Sequence, residues 1–207
     1  MSVAVLILRA IALLAFVGPG LIGARGRRGE KRTPSAERRG NRVPVLANFS
    51  GFGLFFILLA VAPGGTEGST ALLLALTGVL VALTGSALVM WSRAELGDAW
   101  SLVPIASEHV GIVTSGPYRL VRHPIYLGLS LLALGEAIAF GSGPAVLTVF
   151  AVVVPSFLWR ARVEERVLLE VFGERYLLYR THTKIMPIVT SGRFSHSGGP
   201  QPLVLFW

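Results

Sequence analysis

The 207-residue sequence contains no cysteine. This absence excludes disulfide bonds, thiolate catalysis and any zinc or iron–sulfur site built on cysteine ligands. Charged residues are also scarce, at 14% of the chain, whereas an ordinary soluble domain carries about 25%. Hydrophobic residues make up 53% of the sequence, and the mean hydropathy is +0.66. This composition is typical of an integral membrane protein and not of a soluble domain.

Five apolar stretches reach, or come close to, the length of roughly 20 residues that a membrane-spanning helix needs. We interpret the first as a retained helix and not as a cleaved signal peptide, because Arg9 interrupts its apolar run. The last two are short and are separated by a Gly-Ser-Gly-Pro turn, which predicts a helix hairpin. The expected fold is an all-α transmembrane bundle of about five spans. The stretches are Val3–Ile22, Val45–Ala62, Ala71–Trp91, Ile125–Phe140 and Ala145–Trp159.

Basic residues fall on one side of such a five-span arrangement. Of the 19 Lys and Arg, eight lie in the loop 23–44, three between Ser92 and Arg122, and seven from Arg160 onward. Because cytoplasmic loops are enriched in Lys and Arg, this bias predicts an N-terminus outside and a C-terminus in the cytoplasm. Attraction to anionic lipid explains the net charge of +8, and nucleic-acid binding is not expected.

The chain divides into three regions by composition. Residues 1–91 hold the first three apolar stretches and the basic loop 23–44, and residues 92–190 hold the polar motifs. Residues 191–207 form a tail that is rich in Ser, Gly and Pro. Both the loop and the tail have the composition of flexible segments, so the chemistry is expected in the region 92–190.

One polar segment, GPYRLVRHPIYLG at residues 116–128, stands at the start of the fourth apolar stretch. Pro124 suits the first turn of a helix, because its missing N–H would be unpaired there in any case. His123 would then occupy the helix cap, beside free backbone N–H groups that favour anionic ligands. Tyr126 follows within the same turn. An interfacial anchor is the alternative, since Tyr, Arg and His are common at membrane boundaries.

A second polar segment, FLWRARVEERVLLEVFGERYLLYRTHTKIMP, leaves the fifth apolar stretch. Arg160 and Glu164 are four residues apart and share a helical face, while Gly173 predicts a break before a further helical turn. A surface-bound amphipathic helix would explain the periodicity, but charges at the exit of a span are costly unless paired or functional. Because the fourth and fifth helices form a hairpin, the two segments are expected to meet at one membrane face as a composite site.

Glu136 is a further acidic residue within the fourth stretch. Its position near the outer end of a short helix predicts that its carboxylate reaches the membrane interface, although a cavity is an alternative. The histidines outside the first segment have no metal-ligand spacing with one another or with acidic residues, so no metal site is expected. They are His109, His182 and His196.

Together the polar motifs resemble those of the isoprenylcysteine carboxyl methyltransferase family, which is related to the phospholipid methyltransferases. The resemblance covers about residues 90–187. It implies an S-adenosylmethionine-dependent enzyme whose cofactor pocket faces the cytosol and is capped by the C-terminal helical segment. The sequence departs from the family at Leu102–Val103 and in a shorter approach to Pro187. The matching pieces are Leu96–Gly97, Trp100–Ser101, Val113–Gly128, Glu164–Glu165, Leu168, Phe172–Gly173, Tyr176 and Tyr179.

The resemblance also implies a set of site residues. Arg160 would face the methyl acceptor as the catalytic residue, and its planar guanidinium suits a carboxylate, which needs positioning but no general base. An amine acceptor would require a proton acceptor, for which Glu165 and His123 are the candidates. The residues implied at the cofactor are Gly111, Ile112, Val113, Tyr118, His123, Pro124, Ile125, Tyr126 and Glu164.

The implied function is carboxyl O-methylation of a lipophilic, isoprenylcysteine-like substrate. Methylation of a phospholipid or another amine is the alternative, and a non-catalytic membrane scaffold is a second one. The expected partners are a lipophilic or lipidated substrate and membrane lipid.

Overall fold

The computed structural model describes residues 2–25, 38–39, 43–97, 105–106 and 111–186. Within these ranges nearly every residue is helical, and the helices are α1 (Val3–Arg25), α2 (Val43–Val61), α3 (Gly68–Leu96), α4 (Pro124–Ala139), α5 (Gly143–Thr148), α6 (Val154–Phe172) and α7 (Glu174–His182). Several sequence predictions fall mostly or wholly outside the described residues: the basic loop 23–44, the departures at Leu102–Val103 and Pro187, His109 and His196, and the tail 191–207.

Shorter elements connect these helices. A 3₁₀ turn, Gly116–Arg119, precedes α4, and a π-helical turn, Val149–Val153, joins α5 to α6. The π turn ends two residues before Pro155, which has no N–H to continue the hydrogen-bond ladder of the helix. Two short strands, β1 (Arg38–Arg39) and β2 (Ile105–Ala106), pair in antiparallel orientation.

Among the described residues, three helical segments are long and apolar enough to cross a bilayer: α2, α3 and the continuous helix Gly143–Phe172. The apolar helices Val3–Pro19 and Pro124–Ala139 are shorter. The 16 residues of α4 extend over about 24 Å, which is less than the roughly 30 Å of a hydrocarbon core. The all-helical membrane architecture is therefore confirmed, whereas the count of five spans stays a prediction.

Glycines bring α3 and α4 into backbone contact. A Cβ atom at Gly78 or Gly85 of α3 would collide with the backbone of α4, and one at Gly128 or Gly135 of α4 would collide with α3. Apolar helices gain little from hydrophobic burial inside lipid, so close packing through small residues is a main source of their association. Gly78 and Gly85 are seven residues apart on α3, and Gly128 and Gly135 are seven residues apart on α4. Gly78 meets Gly135 and Gly85 meets Gly128, so the two helices are antiparallel and their relative position along the bundle is fixed.

Arg9, which interrupts the first apolar stretch, joins α1 to the end of α4. Its Nε donates to the carbonyl of Ala139 at 3.0 Å, and its Nη2 donates to the carbonyl of Phe140 at 3.3 Å. These carbonyls end a helix, where orphan acceptors and the helix dipole both favour a cation. At the other end of α1, Arg93 of α3 donates to the carbonyl of Pro19.

The predicted hairpin is present between α4 and α5. Gly141 provides the positive φ of 64° that the turn requires. The Ser142 hydroxyl accepts from the N–H of Ala145, which caps α5, and donates to the carbonyl of Ala62 at 2.7 Å. The turn therefore also holds the end of α2, and α6 emerges at the same end of the bundle as the start of α4.

The expectation for Glu136 is wrong. Its side chain does not reach an interface: it is fully buried, and neither carboxylate oxygen has a hydrogen-bond partner among the described residues. The sequence could not show that α1, through Arg9, covers the C-terminal end of α4.

Candidate active site

His123 and Pro124 begin α4 as their order in the sequence predicts. His123 is the N-cap and Pro124 is the first helical residue. The carbonyl of His123 accepts from the N–H groups of Tyr126 and Leu127, at 3.1 and 3.2 Å, which places Tyr126 in the first turn. Both aromatic side chains are buried.

The carboxylate of Glu164, on α6, lies at the centre of a polar cluster. The Tyr126 hydroxyl and the Arg160 Nε both donate to its Oε1, the latter at 3.3 Å. Nδ1 of His123 lies 3.6 Å from its Oε2. We call these four residues the Glu164 cluster. The cluster joins the first turn of α4 to the middle of α6, so the two polar segments meet as the hairpin predicted.

Aromatic packing holds the cluster in place. The Tyr126 ring stacks on His123, with centroids 5.4 Å apart, and on Phe157, with centroids 5.0 Å apart. The guanidinium carbon of Arg160 lies 5.2 Å from the centroid of the Tyr126 ring, within the range of a cation–π interaction. Because Arg160 contacts both a carboxylate and an aromatic face, its orientation is set before any ligand arrives.

Glu165 anchors a second set of contacts beside the cluster. Its Oε1 accepts from Arg122 Nε at 2.6 Å and lies 3.5 Å from His123 Nε2, while its Oε2 lies 3.7 Å from Arg180 Nε. Arg122, whose side chain is almost completely buried, also donates to the backbone carbonyls of Arg180 and Thr183. The Arg122–Glu165 pair thus ties α6 and the end of α7 to the start of α4.

The residues 174–186, here called the C-terminal cap, return to the first polar segment. The Tyr179 hydroxyl donates to the carbonyl of Tyr118 at 2.7 Å. Beyond α7, the N–H of Arg122 donates to the carbonyl of Lys184 at 2.8 Å, in a parallel bridge between Val121 and Lys184. The cap therefore covers the 3₁₀ turn and the segment that leads into α4.

The buried carboxylates control the ionisation of His123. Burial alone would lower the pKa of this imidazole, but its close contacts with the carboxylates of Glu164 and Glu165 and their negative charge outweigh burial and raise it. Burial also raises the pKa of Tyr118, and the negative charge of Glu164 is among the groups that raise it further. The site favours an imidazolium at His123, so His123 and Arg160 place two cations around one carboxylate.

The phospholipid methyltransferase family model matches residues 73–175. Those residues belong to that family. The suspected resemblance is confirmed, and the match begins near the start of α3 and ends just after α6.

Curated relatives share this region. Protein-S-isoprenylcysteine O-methyltransferase A of Arabidopsis thaliana is 42% identical over 73 residues, which are 35% of this chain and 36% of the relative. The cobalt-zinc-cadmium resistance protein CzcN of Cupriavidus metallidurans is 37% identical over 87 residues, 40% of this chain and 39% of its own. The chain thus matches only about a third of the length of the curated relatives.

A solved structure of the eukaryotic intramembrane Ras methyltransferase, isoprenylcysteine carboxyl methyltransferase, is also similar. It matches at a TM-score of 0.49 and 23% identity, and the match covers 74% of this chain and 56% of that one.

Within the methyltransferase-family domain, the residues implied at the site fall into two groups. Arg160, His123, Tyr126 and Glu164 meet in the Glu164 cluster, and Tyr118 lies in the adjoining 3₁₀ turn beneath Tyr179. The remaining five lie nearby along the chain: Gly111, Ile112 and Val113 before the 3₁₀ turn, and Pro124 and Ile125 in the first turn of α4. Pro124 is fully buried and Ile125 packs against the apolar core.

Two residues near the Glu164 cluster make contacts that the sequence motifs did not predict. The first motif contains Arg122, but the sequence assigned it no role. In the structure its guanidinium donates to the Glu165 carboxylate and to the carbonyl of Thr183 in the cap. Glu95, at the end of α3, accepts from the Ser115 hydroxyl at 2.6 Å and lies against Gly116, whose φ is 54°. The composition of Thr114–Tyr118 indicates a turn at Ser115 and Gly116. It does not indicate that Glu95 of α3 contacts this turn.

Proposed function

We propose that the chain is an integral membrane methyltransferase that uses S-adenosylmethionine to methylate the carboxylate of a lipophilic, isoprenylcysteine-like acceptor. The observation that carries this proposal is the convergence of Arg160, Tyr126 and His123 on the Glu164 carboxylate. The family match and the printed activities of the isoprenylcysteine relatives support it. The helix Gly143–Phe172, which includes α6, is long and apolar enough to cross a membrane, and this supports a lipophilic acceptor.

The residues present fit the cofactor. The Glu164 carboxylate can accept from ribose hydroxyls or from an amine, and the N-terminal end of α4 suits a carboxylate. Nε2 of His123 lies 3.5 Å from Glu165 Oε1 but makes no well-formed hydrogen bond among the described residues, so it can still donate to such an anion. Tyr118, Tyr126 and the segment 111–113 would complete the lining. When bound, S-adenosylmethionine supplies an activated methyl group on a sulfonium.

The protein's own task is to position the acceptor and to exclude water. A carboxylate is already nucleophilic, so the chain need only hold it in line with the methyl group, and alignment of this kind lowers barriers by several kcal/mol. Arg160 can hold the acceptor carboxylate, because its guanidinium is oriented by Glu164 and Tyr126. In this proposal the C-terminal cap, which contacts Tyr118 and Arg122 beside the site, limits the access of water.

The state of the two candidate bases favours a carboxylate acceptor over an amine. An amine must lose a proton as it is methylated, so a free base is needed. Glu165 accepts from Arg122, and the carboxylates beside His123 favour its protonated form. Neither candidate is thus free to take a proton.

We place the site at the cytoplasmic face of the membrane. The site lies at the end of the bundle shared by the start of α4 and the second half of α6. Basic residues of the described helices and turns at this end include Arg93, Arg122 and Arg162, and cytoplasmic ends of spans carry such residues. In this placement the N-terminus is outside, and a lipid-borne acceptor enters from the inner leaflet.

The test is a methyl-transfer assay on detergent-purified protein with tritiated S-adenosylmethionine and a farnesylated N-acetylcysteine. The proposal predicts a product that releases volatile methanol on treatment with base, since a methyl ester is base-labile. Base-stable label on a phospholipid amine would instead support N-methylation. Absence of cofactor binding by calorimetry at millimolar concentration would reject both enzymatic assignments.

A further inference from the structure

Asn48 of α2 presents a buried hydrogen-bond acceptor that the chain does not use. The side chain is 5% exposed, and its Nδ2 donates to the Ser156 hydroxyl of α6 at 2.8 Å. The hydroxyl in turn donates to the carbonyl of Val153 at 2.8 Å. Because the hydroxyl proton is committed, Ser156 can only accept from Asn48, and this fixes the orientation of the amide. Oδ1 is left without a hydrogen-bond partner among the described residues.

The partner of this amide, Ser156, lies one helical turn from Arg160 of the Glu164 cluster. Ser156, Arg160 and Glu164 are spaced by four residues on α6 and therefore share one face. Ser156 precedes Arg160 by one helical turn, about 6 Å along the axis, on the side toward the membrane interior. Phe157, the next residue, stacks on the Tyr126 ring of the cluster.

Helix α2 packs closely against the chain leading into α6 at Gly51. A Cβ at this position would lie 3.2 Å from Val152 Cγ1 and 3.9 Å from Ser156 Oγ. The approach falls at the π-helical turn, and such turns inside α-helices are frequent at functional sites. Buried amide oxygens in apolar surroundings nearly always have a donor, so an unpartnered one calls for a ligand that supplies it.

We propose that Asn48 determines acceptor specificity, by accepting a hydrogen bond from an amide N–H next to the acceptor carboxylate. This inference rests on the proposed function, in which Arg160 holds that carboxylate. In an N-acylated amino acid, one carbon separates the carboxylate from the amide nitrogen. Asn48 contacts α6 at Ser156, one helical turn from Arg160, so the two proposed hydrogen bonds would reach the acceptor from neighbouring turns of the helix. The site then extends to α2, which lies outside residues 73–175.

The test compares two acceptors that differ only in the amide. One is a farnesylated N-acetylcysteine, and the other is the matched farnesylthiopropionate, in which a hydrogen atom replaces the acetamido group. For the wild-type protein, kcat/KM should be higher with the amide-bearing acceptor. Asn48→Leu should raise KM for that acceptor by roughly tenfold, leave kcat within about twofold, and leave both constants unchanged for the amide-free one.

Two further variants complete the design. Ser86→Ala removes a buried hydroxyl from α3 and should change neither acceptor's kinetics. Ser156→Ala keeps Asn48 but removes the hydroxyl that orients it, so it should weaken the preference for the amide-bearing acceptor. If Asn48→Leu does not fold, the effect of Ser156→Ala on the preference for the amide-bearing acceptor tests the assignment instead.

The outcomes separate this inference from the proposed function. An equal effect of Asn48→Leu on both acceptors, or none on either, would overturn the assignment and leave Asn48 as a contact between α2 and α6. A wild-type protein that methylates neither acceptor would reject the proposed function, and this inference would fall with it.

Discussion

Arg160 and Glu164 are one helical turn apart and touch, yet the proposed function gives them different tasks. Arg160→Ala should lower kcat by about 100-fold or more while cofactor affinity changes little, because the lost cation positions the acceptor. Glu164→Ala should instead weaken cofactor binding by at least about tenfold, because a charge-assisted hydrogen bond is lost. Calorimetry with S-adenosylmethionine and methyl-transfer rates measure the two effects separately.

Arg162 supplies the matched control for these variants. It lies on the same helix, two residues from each of them, but its side chain is exposed. Arg162→Ala should keep both cofactor affinity and turnover within about twofold of the wild type. A loss in Arg162→Ala equal to that in Arg160→Ala would show that the effect comes from the helix and not from the site.

His123 should make stability fall as the pH rises. Its pKa is raised in the folded protein by Glu164 and Glu165, so its stabilising contribution is complete below the unfolded pKa of about 6.5. The contribution is lost as the pH rises from there through the folded pKa, at up to about 1.4 kcal/mol per pH unit. Thermal unfolding in detergent, measured across that window for wild type and for His123→Gln, should show this slope in the wild type alone. Parallel slopes would mean that His123 does not titrate as described.

At the level of helices, the contact between α3 and α4 determines where the site forms. A Cβ at Gly135 would collide with the backbone of Gly78 and Ala82, which cannot move aside as a flexible side chain can. Gly135→Ala should therefore lower the free energy of unfolding by about 1–3 kcal/mol and reduce activity, because α4 carries His123 and Tyr126. Thermal unfolding and methyl-transfer rates test this.

The control is Gly53→Ala in α2, where a Cβ would meet nothing within 4 Å. Alanine is the better helix former at such a position, so this variant should be as stable as the wild type or slightly more stable. If Gly135→Ala behaves in the same way as Gly53→Ala, the close packing of α3 on α4 is incorrect.

Local signals in the sequence predicted the helices better than the contacts between them. The start of α4 followed from His123 and Pro124, and the break at Gly173 followed from a glycine whose φ is 52°. The α4–α5 hairpin, and the meeting of two polar segments that it implies, also followed. These features depend on backbone preferences of a few neighbouring residues, which a single sequence shows.

Contacts between distant helices were not predictable in the same way. Arg9 was seen as an interruption of an apolar run, but its partners are the carbonyls at the end of α4, 130 residues away. Glu136 was expected at an interface and is fully buried. The contacts of Arg122 and Asn48 were likewise not predictable, because their partners, Glu165 and Ser156, lie on α6. A motif shows residue types and spacing along one helix, not the helix that packs against it.

At the scale of the whole molecule, the family domain and the remaining helices contribute different parts. Residues 73–175 contain most of α3, the hairpin and α6, and therefore the whole Glu164 cluster. Helices α1 and α2 and most of the C-terminal cap lie outside that match. The proposed acceptor contact at Asn48 comes from α2, so in that proposal acceptor recognition draws on a helix outside the matched region.

The central claim is that the first polar segment and α6 line one site for S-adenosylmethionine. Ultraviolet cross-linking of radiolabelled S-adenosylmethionine to the detergent-purified protein, followed by peptide mapping, tests this most directly. The account predicts label both within residues 111–126 and within residues 160–165, and excess unlabelled cofactor should abolish both. Label confined to the basic loop 23–44 or to the tail 191–207 would contradict it, as would label that excess cofactor does not displace.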